Sequence, residues 1–290
     1  TTKIMKLSVI VISFKSSHLL KKILSSFKKK HQIIVIENSM TQSTKMLEKK
    51  FKNVNVIIPN KNLGLAKSYN LGIKKAKTEY IFLNNPDIEI ENKAIKNLIF
   101  CAKKIKNFGV ISPTYRIEKN YKNYEINSKK KSYNSKLFKK YDIAEVDSID
   151  NNFLIKKSII KNNLFDENYF LYFETIDFTF NLKKDNKKLF VCKNIKFNHK
   201  GSSSLPKKFN KLVMETRSFH FNWSKFYFYK KNFHYLYALK KIFPNLIKSI
   251  KKIIFSLIFL NKIQLKLSIL ELVGLISSML LMTSFYRPKK

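Results

Sequence analysis

Apolar residues recur along this chain in two alternating rhythms. Leu7–Phe14, Ile33–Ile36, Val54–Ile58 and Ile81–Leu83 are short, β-branched and almost unbroken, as strands buried on both faces are. Between them the apolar positions fall at helical spacing. Leu19, Leu20, Ile23, Leu24 and Phe27 share one face of a predicted helix over 16–29, and further helices are predicted over 41–51, 65–77 and 91–106. Strand and helix in strict alternation predict a doubly wound, mostly parallel α/β sheet flanked by helices. Such sheets bind ligands outside the carboxyl ends of their strands. Ser13, Glu37 and Asp87 all fall there.

The rhythm breaks over 115–140, a Lys-, Asn-, Tyr- and Ser-rich stretch read as a long surface excursion. Strand and helix signals return from 142 to 165. A helix is predicted from Phe170 to Lys184 and a strand over 188–197, then the polar loop His199–Ser204. Residues 212–230 read as a helix dense in aromatics. Beyond it, lysines alternate with apolar runs. The expected division is a catalytic domain over 1–230 and a helical, basic and apolar extension over 231–290.

Composition narrows the choice of partner. With 44% hydrophobic residues the chain can build a core. The net charge of +39 admits a polynucleotide, an anionic membrane surface or compositional drift. Lysine greatly outnumbers arginine, whereas base-edge and bidentate phosphate contacts favour arginine, so no specific nucleic acid is expected. Cys101 and Cys192 match no metal spacing and are read as reduced, buried thiols. The N-terminal residues do not read as a signal peptide. The run Leu267–Met282 approaches membrane-spanning length, but Glu271 and several serines interrupt it. Amphipathic helices lying on an anionic leaflet account for it and for the upstream lysines.

Five segments carry candidate chemistry. In Asn85-Pro86-Asp87 a strand tip presents a carboxylate on a backbone stiffened by proline, which suits a divalent cation and also suits an ordinary turn. Glu37-Asn38-Ser39 offers acceptors to a base or ribose, or caps a strand-to-helix turn. In Asn62–Gly72, Gly64 permits close backbone approach, Ala66 keeps the helix start small, and Asn70 sits deeper on about the same face. Glu174 and Asp177, three apart on one helix face among aromatics, suit a general base or a helix N-terminus that favours acids. His199 is read as a second ligand for the ion at Asp87.

Together and in this order, these segments resemble the family 2 glycosyltransferases of GT-A fold, the match lying nearest the rhamnosyltransferase-like branch and covering about residues 6 to 230. The resemblance implies nucleotide contacts from Ser13, Glu37 and Asn38, and a donor-side segment of Asn62, Gly64, Ala66, Asn70 and Gly72. It also implies an Asp-x-Asp-type station at Asn85-Pro86-Asp87, an acidic block from Phe165 to Asp177, and a strand-end His199 followed by Gly and Ser. The chain departs from the pattern at Thr175, where many members carry an acid, at Asn181, where an arginine is common, and at Glu37, where aspartate is commoner.

What the resemblance implies is inverting sugar transfer from a nucleoside diphosphate, with Mg²⁺ or Mn²⁺ held by Asp87 and His199. The general base is Asp177 or Glu174. The acceptor is a glycan or lipid-linked glycan in cell-surface polysaccharide assembly, at the cytoplasmic face of the membrane. The rival readings are a basic nucleic-acid-binding protein and a glycosyltransferase-like protein that has lost catalysis.

Overall fold

Strand β1 (Leu7–Ser13) runs at the centre of a parallel core. It pairs with β2 (Gln32–Glu37) on one side and β4 (Tyr80–Asn84) on the other, while β3 (Val54–Ile57) adds outside β2. The computed structural model describes residues 7–27, 29–115, 123–126, 135–160, 164–199 and 205–287. The intervening helices are α1 (Ser17–Ser26), α2 (Met46–Lys50), which follows a 3-10 turn at Gln42–Lys45, and α3 (Gly64–Lys75). After β4 come β5 (Ile88–Glu89), α4 (Asn92–Lys104), β6 (Phe108–Tyr115), β7 (Tyr124–Glu125), α5 (Lys136–Tyr141), β8 (Ile143–Val146), β9 (Ser148–Ile149) and β10 (Leu154–Lys156). The chain ends through α6 (Glu174–Lys184), β11 (Lys188–His199), α7 (Asn210–Asn232), α8 (Tyr235–Ile258) and α9 (Lys262–Met279).

Among the described residues the main sheet has the order β3-β2-β1-β4-β10-β6-β11-β5, with β8 added to β11. The expected parallel sheet is realised in β1 to β4 and again between β6 and β11. The second half is mixed. β10 lies antiparallel between β4 and β6, and β5 and β8 run antiparallel to β11. β10 enters the sheet at the end where β6 leaves it, and so runs antiparallel to β6.

Alternation along the strands sorts the core. Val9, Val11, Ile33, Val35 and Phe82 pack with Leu20 and Leu24 of α1 and Ile95 and Leu98 of α4. The opposite face receives α3, and the fit there is close. A Cβ at Gly72 would stand 2.6 Å from Ile10 Cγ2, so only glycine lets α3 lie this near β1. Cys101 and Cys192 are free and fully buried. Burial, with a hydrogen bond between the two thiols, pushes Cys192 well above the ordinary thiol range.

The contacts divide the chain into two compact units. One holds Thr1–Leu63, Lys67–Phe165 and Thr175–Leu205; the other holds Gly64–Ala66, Asp166–Glu174 and Pro206–Lys290. Residues 206–230, grouped by sequence with the first domain, thus pack with the C-terminal helices. The reason is visible on α7. Its buried Phe226 meets Ala238, Ile242 and Leu275 of the last two helices, and Gly274 lies against the Phe219 carbonyl, which a Cβ would meet at 2.4 Å. Trp223 Nε1 donates to the Met282 carbonyl at 3.0 Å, and Ser278 Oγ donates to the Trp223 carbonyl at 2.9 Å.

Two expectations need correction. The helix predicted from Phe170 begins at Glu174, because Tyr172 and Phe173 have φ of 67° and 64° and cannot continue a right-handed helix. Over 115–140, read as an excursion without regular structure, the described part contains β7 and α5.

Candidate active site

The carboxyl ends of β1 and β2 meet in register, Ser13 opposite Glu37. Ser13 Oγ donates to Glu37 Oε2 at 2.7 Å and the Ser39 amide donates to Oε1 at 2.9 Å, so each carboxylate oxygen of this fully buried residue accepts a bond. Asn38 is equally enclosed. Its amide nitrogen donates to Ser68 Oγ at 2.8 Å, and its oxygen accepts from the Leu63 N–H at 3.3 Å. Asn38 therefore ties the end of β2 to α3. These bonds hold the loop at the strand ends around the buried Glu37 carboxylate.

The Asn62–Gly72 segment separates into structural parts. Gly64 has φ 75°, and a Cβ there would meet the Phe170 carbonyl oxygen at 2.3 Å. The Leu65 N–H donates to that same carbonyl at 2.8 Å, and Ala66 is fully buried. Asn62 is half-buried just before α3. Asn70 makes a two-way clasp on the backbone of Phe165. Its Nδ2 donates to the carbonyl at 2.9 Å and its Oδ1 accepts the N–H at 3.0 Å. That clasp ties α3 to the segment that precedes α6.

At the exit of β4, Asn85-Pro86-Asp87-Ile88 forms a tight turn in which the Ile88 N–H donates to the Asn85 carbonyl at 3.2 Å. Proline at the second position suits such a turn. Asn84, buried beneath it, donates from Nδ2 to the carbonyls of Asn85 at 2.9 Å and Ile88 at 3.3 Å. Asp87 is buried at the third position of the turn. The backbone of His199, the last residue of β11, pairs with Ile88, beside Asp87. The topology thus brings 87 and 199 to one sheet edge. The His199 side chain and the loop 200–204 lie outside the described residues.

A second group, not evident in the sequence, links this turn to α6. The Asn85 N–H donates to Asn152 Oδ1 at 2.8 Å, and Asn152 Nδ2 donates to Tyr115 Oη at 2.7 Å. Asn152 is buried with φ 60°, a conformation asparagine tolerates. Ser112 Oγ donates to the Asn152 carbonyl at 2.9 Å, and Asn123 Nδ2 donates to Ser112 Oγ at 2.7 Å. Two residues earlier, Asp150 Oδ1 accepts from Thr175 Oγ1 at 2.9 Å. An acid therefore stands one hydrogen bond from position 175, where the sequence offers a threonine. The only available sequence signal was the clustering of Asp147, Asp150, Asn151 and Asn152 before a strand, which reads as an ordinary turn.

Glu174 is the first residue of α6 and Asp177 lies one turn on; both are buried. Asp177 Oδ2 accepts from Asn181 Nδ2 at 3.2 Å, at the position where the chain departs from the arginine of the pattern it resembles. Among the described residues no group of three or more His, Cys, Asp or Glu is gathered for a metal. What remains is a carboxylate at a rigid turn, with the buried Asn84 Oδ1 left without a hydrogen-bond partner beneath it. This donor set does not suit a cage made of protein alone. It does suit an ion such as Mg²⁺, which keeps several waters and is held by one or two carboxylates together with substrate phosphates.

Comparisons with known proteins bear on this geometry. A hexosyltransferase of low-salt glycan biosynthesis, Agl10 of Haloferax volcanii, is 22% identical over 203 residues, covering 64% of each chain. The chain thus spans less than two thirds of that relative's length. Among solved structures, TarS of S. aureus superposes with a TM-score of 0.52 at 19% identity, covering 74% of this chain and 39% of that one. The mannosyltransferase PcManGT of Pyrobaculum calidifontis, solved with GDP-Man and Mn²⁺, gives 0.54 at 11% identity, covering 94% and 86%. The fold is a GT-A-like mixed α/β fold with a helical C-terminal region. The glycosyl transferase family 2 model matches residues 8–164, more than half of the chain, and on that match the protein belongs to glycosyl transferase family 2.

Proposed function

We propose that this glycosyltransferase is an inverting enzyme that moves a hexose from a nucleoside diphosphate to a hydroxyl of a glycan or lipid-linked glycan. The observation that carries the reading is a pair of hydrogen bonds to one short segment, Asn85 N–H to Asn152 and Thr175 Oγ1 to Asp150, two residues apart in the chain. It couples the turn bearing Asp87 to the start of the helix bearing Asp177, so one rigid support serves both a diphosphate station and a base. In this reading Ser13, Glu37, Asn38, Asn62, Gly64, Ala66, Asn70 and Asn85 shape the donor pocket, several of them by fixing backbone.

Asp87, with His199, would hold a divalent ion such as Mg²⁺ or Mn²⁺ beside the donor's phosphates. That ion supplies charge neutralisation for the leaving diphosphate. Asp177 or Glu174 accepts the proton of the attacking acceptor hydroxyl, an assistance worth about 10²–10⁴-fold in rate. A lipid-linked acceptor fits a chain working in polysaccharide assembly at the cytoplasmic face of a membrane; the hexosyltransferase relative supports the glycan-biosynthesis part of that reading.

The test is a panel of nucleoside-diphosphate hexoses incubated with the purified full chain, with and without Mn²⁺, reading released nucleoside diphosphate. Turnover of at least one donor, stimulated by the ion, is expected. Silence across the panel, with steeply salt-dependent binding of any polynucleotide, would instead favour a nucleic-acid binder.

A further inference from the structure

Helix α8 buries and exposes the wrong residues for a helix surrounded by water. Leu236, Phe243, Ile247, Ile250, Ile254 and Ile258 recur at intervals of three, four and seven and so form one stripe. That stripe is exposed, from 39% at Ile247 to 71% at Leu236. The face packed inward holds Ala238, Ile242, Ser249 and Ser256, the two serines being 2% and 3% exposed. Two serines and an alanine face the protein beside Ile242, while Ile247, Ile250, Ile254 and Ile258 face outward. The stripe continues into the turn before α9, where Phe259 is 74% and Leu260 83% exposed.

The charge beside the stripe has one sign. After Glu215 the sequence contains a single acid, Glu271, and Lys252 Nζ holds it at 2.7 and 2.9 Å. Lys248 and Lys251 lie next to the stripe on α8 and have no acidic partner among the described residues. Together with Phe243, Ile247, Phe255 and Phe259 they line a groove of about 890 Å³. No helix among the described residues is long and apolar enough to cross a membrane.

We infer that the outer face of α8 and the α8–α9 turn dock flat on an anionic lipid bilayer. An acyl boundary accepts the isoleucine stripe, and lysine stems reach from the same depth to the phosphate layer. A protein partner matched to the stripe would leave unpaired lysines along its edge. A bilayer rich in anionic lipid satisfies both features at once. The inference uses none of the sugar chemistry, so either reading can fail without the other.

Co-sedimentation of the full chain is measured with vesicles of phosphatidylcholine alone and of equal parts phosphatidylcholine and phosphatidylglycerol. The parent should bind the mixed vesicles far better, and less at high salt. The triple change Ile250→Ser, Ile254→Ser and Ile258→Ser should lower partitioning on the order of 100-fold while leaving the thermal unfolding midpoint in place, since these side chains are already exposed. Lys248→Gln with Lys251→Gln should lower it roughly fivefold per lysine on mixed vesicles and hardly at all on neutral ones. Failure of the parent to bind, or equal binding by parent and triple variant, overturns the inference. So does a parent dimer that the triple variant abolishes, because a second copy would then be the occupant.

Discussion

Asn152 is the sharpest test of how the candidate site is held. Replacing it with glycine removes the bond from the Asn85 N–H at 2.8 Å and the bond to Tyr115 Oη at 2.7 Å, and leaves the left-handed backbone at φ 60° unstrained. Each such bond contributes about 1 kcal/mol net. Glycine adds up to about 1 kcal/mol of unfolded-state entropy. The expected loss is therefore about 2–4 kcal/mol. Asn152→Ala loses the same bonds and also the short polar side chain that lets asparagine tolerate the left-handed region, a further loss of up to about 1–2 kcal/mol. Asn152→Asp keeps an acceptor for Asn85, and the Tyr115 hydroxyl can turn to donate, so it should stay within about 1 kcal/mol of the parent. Urea midpoints at unchanged slope measure the series. The same variants should lose donor turnover in the same order, because the turn carrying Asp87 is anchored through this side chain. A glycine variant as stable and as active as the parent, or an aspartate variant as damaged as the alanine one, would refute the reasoning.

Four further outcomes are expected. Asp87→Ala should abolish ion-stimulated turnover, a fall on the order of 10²–10³-fold in kcat, read by titrating Mn²⁺ against nucleoside diphosphate release. Of Glu174→Gln and Asp177→Asn, compared at saturating donor, the one that removes the base should cost about 10²–10⁴-fold and the other far less. Gly64→Ala should destabilise by more than about 2 kcal/mol in thermal or urea unfolding, since it combines a φ of 75° with a 2.3 Å approach to the Phe170 carbonyl. Burial holds His220 neutral, with its pKa lowered from 6.5 to about 3, while it bonds Ser284 Oγ and the Tyr286 carbonyl. The unfolded chain then binds the extra proton, so stability is complete above pH 6.5 and falls as pH drops toward 3, by up to about 5 kcal/mol. His220→Gln should flatten that part of the stability-against-pH curve.

By itself the sequence determined the parallel half of the sheet. Runs such as Val9–Ile12 and Ile33–Ile36 are apolar at every position, and only strands covered on both faces need that. It also placed Ser13, Glu37 and Asp87 at strand exits, because a polar residue ending such a run marks where the chain leaves the core. Tertiary structure alone decided what those side chains do. Glu37 and Asn70 look like ligand contacts in a string of letters, yet they bond Ser13, Ser39 and the Phe165 backbone, the last of these 95 residues away in sequence. The reversal of β10, the Asn152 anchor and the pairing of His199 with Ile88 arise in the same way. Local propensity acts over a few residues, whereas these partners meet only after loops of tens of residues close. The outward-facing isoleucines of α8 make the complementary case: their spacing is written in the sequence, but which side of the helix the protein covers depends on α7 and α9.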